Sequence, residues 1–365
     1  MSYPWPRLVV VVGAGGVGKT TLAAALGLES SGTGDDTLVM TFDPSQRLKD
    51  ALGVGDSARD HEVEVATGST GSLSASLLDA RETFNRLVSR YAPDEEARDR
   101  ILTNRYYRHL AGSLAGVLEY MAVERLYEVS QAGQYDRIIL DTPPTRQALD
   151  FLEAPARIVG FLDSGALKLA LRSWFDDSGR LRPTARLGRL GKRFEAYLDE
   201  VVGLDLLRDM VEFFQAFGPL YEGFRQRAKE VESLLRSEDT LFALVAGPGE
   251  EKIPDTLYFA RRLKEAGYRL GPIVVNRMHP PAAESRETSP AVKVPPVDGR
   301  SLLTWLGERD RRGFERLVSL VDQEQPVVAL PLLPTEPSNL ESLSALSELF
   351  SRHLAASQVM PATPR

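Results

Sequence analysis

The chain has 365 residues, enough for two or three units or one large α/β domain with insertions, and it can bury a core without covalent staples. Lys and Arg number 44 against 51 Asp and Glu, and the formal net charge of −7 argues against a generic nucleic-acid or anionic-membrane surface. There is no cysteine, which excludes disulfide frameworks, thiol nucleophiles, Fe–S clusters and thiolate zinc sites. The four histidines, His61, His109, His279 and His353, form neither HExxH nor HxH, so a histidine-rich metal site is not expected.

In chain order, Leu8–Val12 is a β-branched run that ends at glycine, and the good helix formers Leu22–Leu26 follow a tight loop. This reads as strand, loop, helix. Further strands are expected at Thr37–Phe42, Ser72–Leu78, Arg137–Leu140, Leu241–Ala246 and Pro272–Asn276, with helical stretches between several of them. Apolar strands without alternation, separated by helices, predict an α/β fold with a mostly parallel, doubly wound sheet covered on both faces. From about 150 to 240 the strand rhythm stops, so an all-helical subdomain is expected at 151–239, inserted into a core formed by 1–150 and 240–357. The proline-rich segment 279–300 reads as a mobile loop and 358–365 as a tail. No run approaches the roughly 20 apolar residues of a membrane helix, and the first residues lack a basic, then apolar, leader pattern. A soluble cytoplasmic protein is the expectation.

The loop from Gly13 to Thr21 fits two patterns. Gly13, Gly15 and Gly18 satisfy GxGxxG, whereas Gly13, Gly18, Lys19 and Thr20 satisfy GxxxxGK[ST]. A dinucleotide site needs no lysine after the last glycine. A phosphate loop uses the N–H groups of residues such as Gly15, Gly16, Val17 and Gly18 as a cradle, a lysine on the β/γ oxygens and a hydroxyl on Mg²⁺. Lys19 and Thr20 therefore decide for ATP or GTP. Asp43 ends the second strand at a place that either ligand would want. Asp141, followed by Thr142, Pro143, Pro144 and Thr145, ends a later strand. An ATPase needs one carboxylate to hold Mg²⁺ through water, for which Asp141 suits, and another to orient the attacking water, for which Asp43 suits. Singly, each is equally a turn or helix cap.

These residues resemble the deviant-Walker P-loop ATPases, in the branch that contains the arsenite-pump ATPase and the guided-entry ATPase that targets tail-anchored membrane proteins. The resemblance covers most of the chain and rests on Gly13–Thr21, the Asp43-Pro44 and Asp141–Thr145 switch segments, Val274–Asn276 and Leu330–Pro334. It implies an ATP- and Mg²⁺-dependent ATPase acting as a dimer, with Lys19 and Asp43 catalytic, and with Thr20 and, through water, Asp141 at the metal. It also implies that Asn276 and the backbone around Pro331, Leu332 and Leu333 enclose the adenine. The Asn276 amide offers both a donor and an acceptor to a base edge; its alternative role is turn formation.

Two departures qualify the resemblance. The family's signature lysine, which reaches a dimer partner's phosphates, would stand at position 14, where this chain has Ala14. A trans-acting cation of that kind is worth about 10³ to 10⁵ in rate. Slow hydrolysis, rescue by Arg47 or Arg146, or a hetero-partner that brings a lysine are the three expectations. The second departure is the missing cysteine, which removes both thiolate metalloid activation and a zinc-clamped dimer.

Within the expected insert, Leu206, Leu207, Met210, Val211, Phe213, Phe214, Phe217, Leu220, Tyr221 and Phe224 span an arc wider than one buried helix stripe. They read either as a helix buried on two sides or lying in a subunit interface, or as a groove for apolar helical clients. The basic run from Arg172 to Arg193 reads as a solvated loop, or as a surface for acidic partner groups or a membrane. Leu340, Leu343, Leu346, Leu349, Phe350 and Leu354 near the C-terminus suggest a helix docked on the sheet in preference to a membrane-lying one. The favoured role is a dimeric, nucleotide-controlled handler of hydrophobic protein segments. The alternatives are a regulatory subunit paired with a second ATPase and, less favoured, an anion-pump motor with a membrane-protein partner. No nucleic acid is expected.

Overall fold

The computed structural model describes residues 3–42, 47–59, 61–67, 71–92, 94–103, 117–163, 221–280 and 298–359. The basic run at 172–193, most of the apolar arc at 206–224, and most of the expected loop and tail lie outside these residues.

The described residues contain a sheet of eight strands: β1 (Leu8–Gly13), β2 (Thr37–Thr41), β3 (Val63–Thr67), β4 (Ser72–Leu77), β5 (Arg137–Asp141), β6 (Thr240–Ala246), β7 (Leu270–Met278) and β8 (Val327–Pro331). Their order is β3-β4-β2-β5-β1-β6-β7-β8. Every pairing is parallel except β3 with β4, a short hairpin at the edge. All five strands expected after β1 form, as β2, β4, β5, β6 and β7, and each has at least one parallel neighbour. The additional strands β3 and β8 are edge strands with exposed or half-exposed positions, so neither carries the continuous apolar signature of a central strand.

Every residue of β1 is buried, because each of its faces meets a layer of side chains. On one face Val9, Val11, Val39, Ile139, Ala243 and Val274 share a core with α1 (Lys19–Gly32), α2 (Arg47–Leu52) and the C-terminal helix, Leu340–Val359. That last helix packs on both α1 and β8. It buries Leu343, Leu346, Phe350 and Leu354, which makes it a docked helix as its apolar spacing predicts, and the Phe350 ring stacks on Trp5 at 6.2 Å. Among the described residues, no helix is long and apolar enough to cross a membrane.

The chain divides into two compact units. The sheet unit gathers 1–78, 132–149 and 234–365, and the other gathers 79–131 and 150–233. The described part of the second unit is helical: α3 (Ala80–Tyr91), α4 (Glu95–Thr103), α5 (Val117–Ala132), and most of α6 (Thr145–Asp163) and α7 (Tyr221–Arg236). Asp79 starts α3 by accepting hydrogen bonds from the Arg81 and Glu82 N–H groups. The helical unit thus takes in 79–131, which the sequence reading places in the core at 1–150. Helices lying between two strands read as ordinary crossovers. What joins these to the later segment is long-range: Arg227 Nε donates to Glu124 Oε2 at 2.6 Å, and Tyr120 stacks on Phe224 at 4.9 Å. Glu124 and Arg227 are both buried, and such a charge pair is tolerated only because each supplies the other's partner.

In the sheet unit, α8 (Ile253–Glu265) packs on β6 and β7, and α9 (Gly299–Leu320) packs on β7. The helix α9 begins at Gly299, capped by Asp298, so the last two residues of the expected 279–300 loop are helical. We number the C-terminal helix Leu340–Val359 α10. Beyond β7, His279 is anchored to α9: its backbone N–H donates to Asp310 Oδ2 at 3.0 Å, and its ring Nδ1 lies 2.7 Å from the same oxygen. Arg309 binds the other oxygen. Burial alone pushes the Asp310 carboxyl up, but the His279 backbone and ring and the Arg309 guanidinium outweigh it and hold the group below the usual carboxylate range.

Two stability predictions follow from this packing. Phe350→Ala removes a fully buried ring and should lower unfolding free energy by about 3–5 kcal/mol. Urea denaturation checks it, and a loss under about 1 kcal/mol would mean that α10 is not docked as described. For Asp310, a folded pKa below the unfolded value of about 3.9 gives stability that is fully present above that pH and vanishes as the pH falls through the folded pKa. Asp310→Asn should therefore lower the urea midpoint at neutral pH, with a gap to wild type that narrows on acidification below about pH 4. A variant equal to wild type at neutral pH would show that the anchor contributes nothing.

Candidate functional site

The carboxyl ends of β1, β5, β6 and β7 meet at one edge of the sheet, where the strand order reverses direction about β1, and open α/β sheets bind their ligands there. β1 ends at Gly13 in register with Val245. A Cβ on Gly13 would stand 2.1 Å from the Val245 carbonyl oxygen, so the loop leaves the sheet at a point where only glycine fits. At the other end Gly18 has φ 95°, and a Cβ there would lie 2.4 Å from Asn276 Nδ2.

Gly18 is also the N-cap of α1. It offers no side-chain oxygen to the first turn, and that turn contains no acidic residue. The N–H groups at the positive end of α1 are thus left for an anion. Lys19 bends back over the loop, with Nζ donating to the Ala14 carbonyl at 3.0 Å. Ala14 itself packs its methyl against the core of the sheet unit.

Thr20 follows Lys19, and its hydroxyl donates to Asp141 Oδ2 at 2.7 Å. Thr41, at the end of β2, donates to the same oxygen at 3.0 Å. Asp141 is fully buried at the end of β5, where the register pairs it with Val11 on one side and Thr41 on the other. Two hydroxyls from two different elements thus steady one buried carboxylate. Because Thr20 is a donor here, its oxygen keeps lone pairs for another ligand.

Asn276 holds the loop from the opposite side. Its Nδ2 donates to the Val17 carbonyl at 2.9 Å, and its Oδ1 accepts from the Arg277 backbone N–H at 2.9 Å. One N–H and one lone pair of the amide remain uncommitted in this arrangement. The immediate work of Asn276 is therefore to clamp the phosphate loop to β7.

These elements border a cavity of about 680 Å³. Of the residues singled out in the sequence, Gly16, Gly18, Lys19, Thr20 and Thr21 line it. Gly13, Val17, Asn276 and Asp141 are buried outside that lining, and Gly15 is exposed beside Pro144. β8 ends at Pro331, and Leu332 donates its backbone N–H to the Met278 carbonyl at 2.7 Å, which fixes the start of the following loop. From that loop the lining comes from Glu336, Pro337 and Ser338, while Leu332 is exposed and Leu333 packs on the core. Asp43 and the side chain of Arg146 lie outside the described residues; Arg47 lines the cavity with Asp50 and Ala51 of α2.

Sequence reasoning missed Arg277, Glu336, Pro337, Ser338, Asp50 and Ala51, and named Pro144 only as part of the Asp141–Thr145 segment. The signal for Arg277 was its position directly after Asn276 at a strand end. The loop residues 336–338 had no motif of their own.

The family model described as anion-transporting ATPase matches residues 6–352. A protein of Aquifex aeolicus that carries the name of an arsenical pump-driving ATPase is 24% identical over 354 residues, covering 94% of this chain and 78% of that one. The ATPase GET3 of Malassezia globosa is 26% identical over 338 residues, covering 92% and 88%. Protein Rv2184c of Mycobacterium tuberculosis is 30% identical over 206 residues, about half of each chain. With a glycine-rich loop, a lysine and a threonine-bound carboxylate at the carboxyl edge of a mostly parallel sheet, and a family match across nearly its whole length, the chain belongs to the anion-transporting ATPase family.

Proposed function

We propose that the chain is a Mg²⁺-dependent ATPase that works as a dimer, turns over slowly by itself, and uses its nucleotide state to control a helical unit that binds hydrophobic protein segments. The observation that carries the catalytic part is the hydrogen bond from Thr20 to the buried Asp141 beside Lys19. A hydroxyl and a carboxylate are hard oxygen donors of the kind Mg²⁺ accepts alongside water and phosphate. Such an ion needs no dedicated cage. That no group of three His, Cys, Asp or Glu occurs among the described residues is therefore compatible with it. When bound, Mg²⁺ would neutralise charge on the β- and γ-phosphate oxygens. Thr20 would hold it directly and Asp141 through water, while Lys19 leaves the Ala14 carbonyl for the phosphates. Asp43 is assigned to orient the attacking water, and Asn276 with residues 331–333 to the adenine side.

Slow turnover is supported by Ala14. Its methyl lies against the core, so this loop position sends no cation toward a partner. The same observation favours a second reading, in which the chain is a regulatory subunit that binds ATP and pairs with another ATPase that brings a lysine. The handling of hydrophobic segments is supported by the similarity to GET3 proteins and by the apolar arc at 206–224. The described end of that arc, Phe224, is fully buried against Tyr120, so the client surface is assigned to the remainder. The arsenical-pump reading is less favoured because the chain has no thiolate for a metalloid.

Steady-state phosphate release tests the catalytic reading. Lys19→Ala and Asp141→Asn should each lower kcat/KM by about 10²-fold or more, and chelation of Mg²⁺ should abolish turnover. Full activity in Asp141→Asn would overturn the assignment. Ala14→Lys should raise turnover at least about tenfold; brisk wild-type turnover that this substitution leaves unchanged would refute slow hydrolysis.

A further inference from the structure

The backbone at the end of β7 takes an uncommon course. Arg277 has φ 63°, and among the described residues it is the one non-glycine residue with positive φ. A side chain with a Cβ reaches this left-handed region at a cost that glycine would avoid, and such outliers persist where flanking contacts impose them. Here the flanks are fixed on both sides. Asn276 is clamped to Val17, and Met278 pairs with Pro331 while His279 is tied to Asp310.

The consequence is the direction of the Arg277 side chain. Nη1 donates to the Gly16 carbonyl at 3.0 Å and Nη2 donates to Glu336 Oε1 at 2.9 Å. All three residues line the 680 Å³ cavity. The guanidinium is thus gripped by its edges, from the phosphate loop on one side and the β8–α10 loop on the other. No aromatic ring among the described residues lies against its faces, and none lines the cavity. The flat surfaces offered to a planar ligand are the guanidinium groups of Arg277 and Arg47 and the rings of Pro144 and Pro337, and of these the Arg277 plane is the one held between the phosphate loop and the β8–α10 loop.

We propose that Arg277 is a nucleotide-binding residue whose guanidinium plane, held by the Gly16 carbonyl and Glu336, forms the wall on which the purine base stacks. This rests on the reading that the loop binds a nucleoside triphosphate. A guanidinium is suited to the task because it is planar, weakly hydrated and always charged. Its edges are already bound to the Gly16 carbonyl and Glu336, so what it offers a ligand is its face, which makes it a base contact and not a substitute for the missing lysine at position 14. Stacking is blind to base identity, since every base has a π face.

Calorimetric binding of ATP, GTP and inorganic tripolyphosphate to the full chain distinguishes these roles. Arg277→Gly should raise Kd for ATP and GTP alike by about tenfold and leave tripolyphosphate within about twofold. Its melting temperature should not fall, because glycine suits φ 63°. Arg277→Lys keeps the charge without the plane and should not restore ATP affinity. Glu336→Gln should weaken ATP by no more than about fivefold, because the pair is largely exposed. Unchanged ATP affinity in Arg277→Gly, or equal weakening of ATP and tripolyphosphate, would overturn the proposal. Lys19→Ala is the control for the underlying reading: it should weaken tripolyphosphate as well as ATP. If it weakens neither, the phosphate-loop reading fails and the Arg277 assignment falls with it.

Discussion

The Asp141 carboxylate is buried at the end of β5, and the site is organised around what that burial demands. A charge removed from water needs hydrogen-bond partners supplied by the protein. Here they are the hydroxyls of Thr20, from the first turn of α1, and Thr41, from the end of β2. Both are in place only because β5 lies between β1 and β2 in one register, with Val11 and Thr41 flanking Asp141. A shift of one residue would send the carboxylate to the other face of the sheet. Strand pairing, helix placement and the metal-side chemistry are therefore one constraint expressed at three scales.

That part of the molecule was legible in the sequence because its signals are local. Leu8–Val12, the glycines at 13 and 18, Lys19, Thr20 and Asp141 each carry their own reason to be where they are. The parts that were not legible depend on pairs far apart in the chain. β3 has half-exposed positions and sits at an edge, so its apolar signal is weak, while β8 is flanked by prolines that read as a loop. The first half of the helical unit looked like crossover helices, since nothing near Glu124 announces Arg227 as its partner.

Asn276 and Arg277 show the same limit within the site. An amide at a strand end suggests a base edge, but the fold spends it first on the carbonyl of Val17, and the room for that contact exists because Gly18 has no Cβ. The ion pair between Arg277 and Glu336 spans 59 residues and joins the end of β7 to the loop after β8, which meet only when β7 and β8 are adjacent. Charged residues at such positions read as solvated surface until the pairing of the last two strands is known.

The docking of α10 on α1 has an implication for the life history of the chain. The helix that follows the phosphate loop leaves the ribosome before most of the sheet, yet the helix that covers it emerges only after β8. Until Leu346, Phe350 and Leu354 have been synthesised, α1 has an uncovered apolar flank and the nucleotide site rests on an incomplete layer. The sheet unit is moreover assembled from three stretches of chain separated by the two helical segments. A nascent or truncated polypeptide that lacks α10 thus carries the motif without the finished site, and a ligand that binds the folded form alone adds its binding free energy only once α10 is in place.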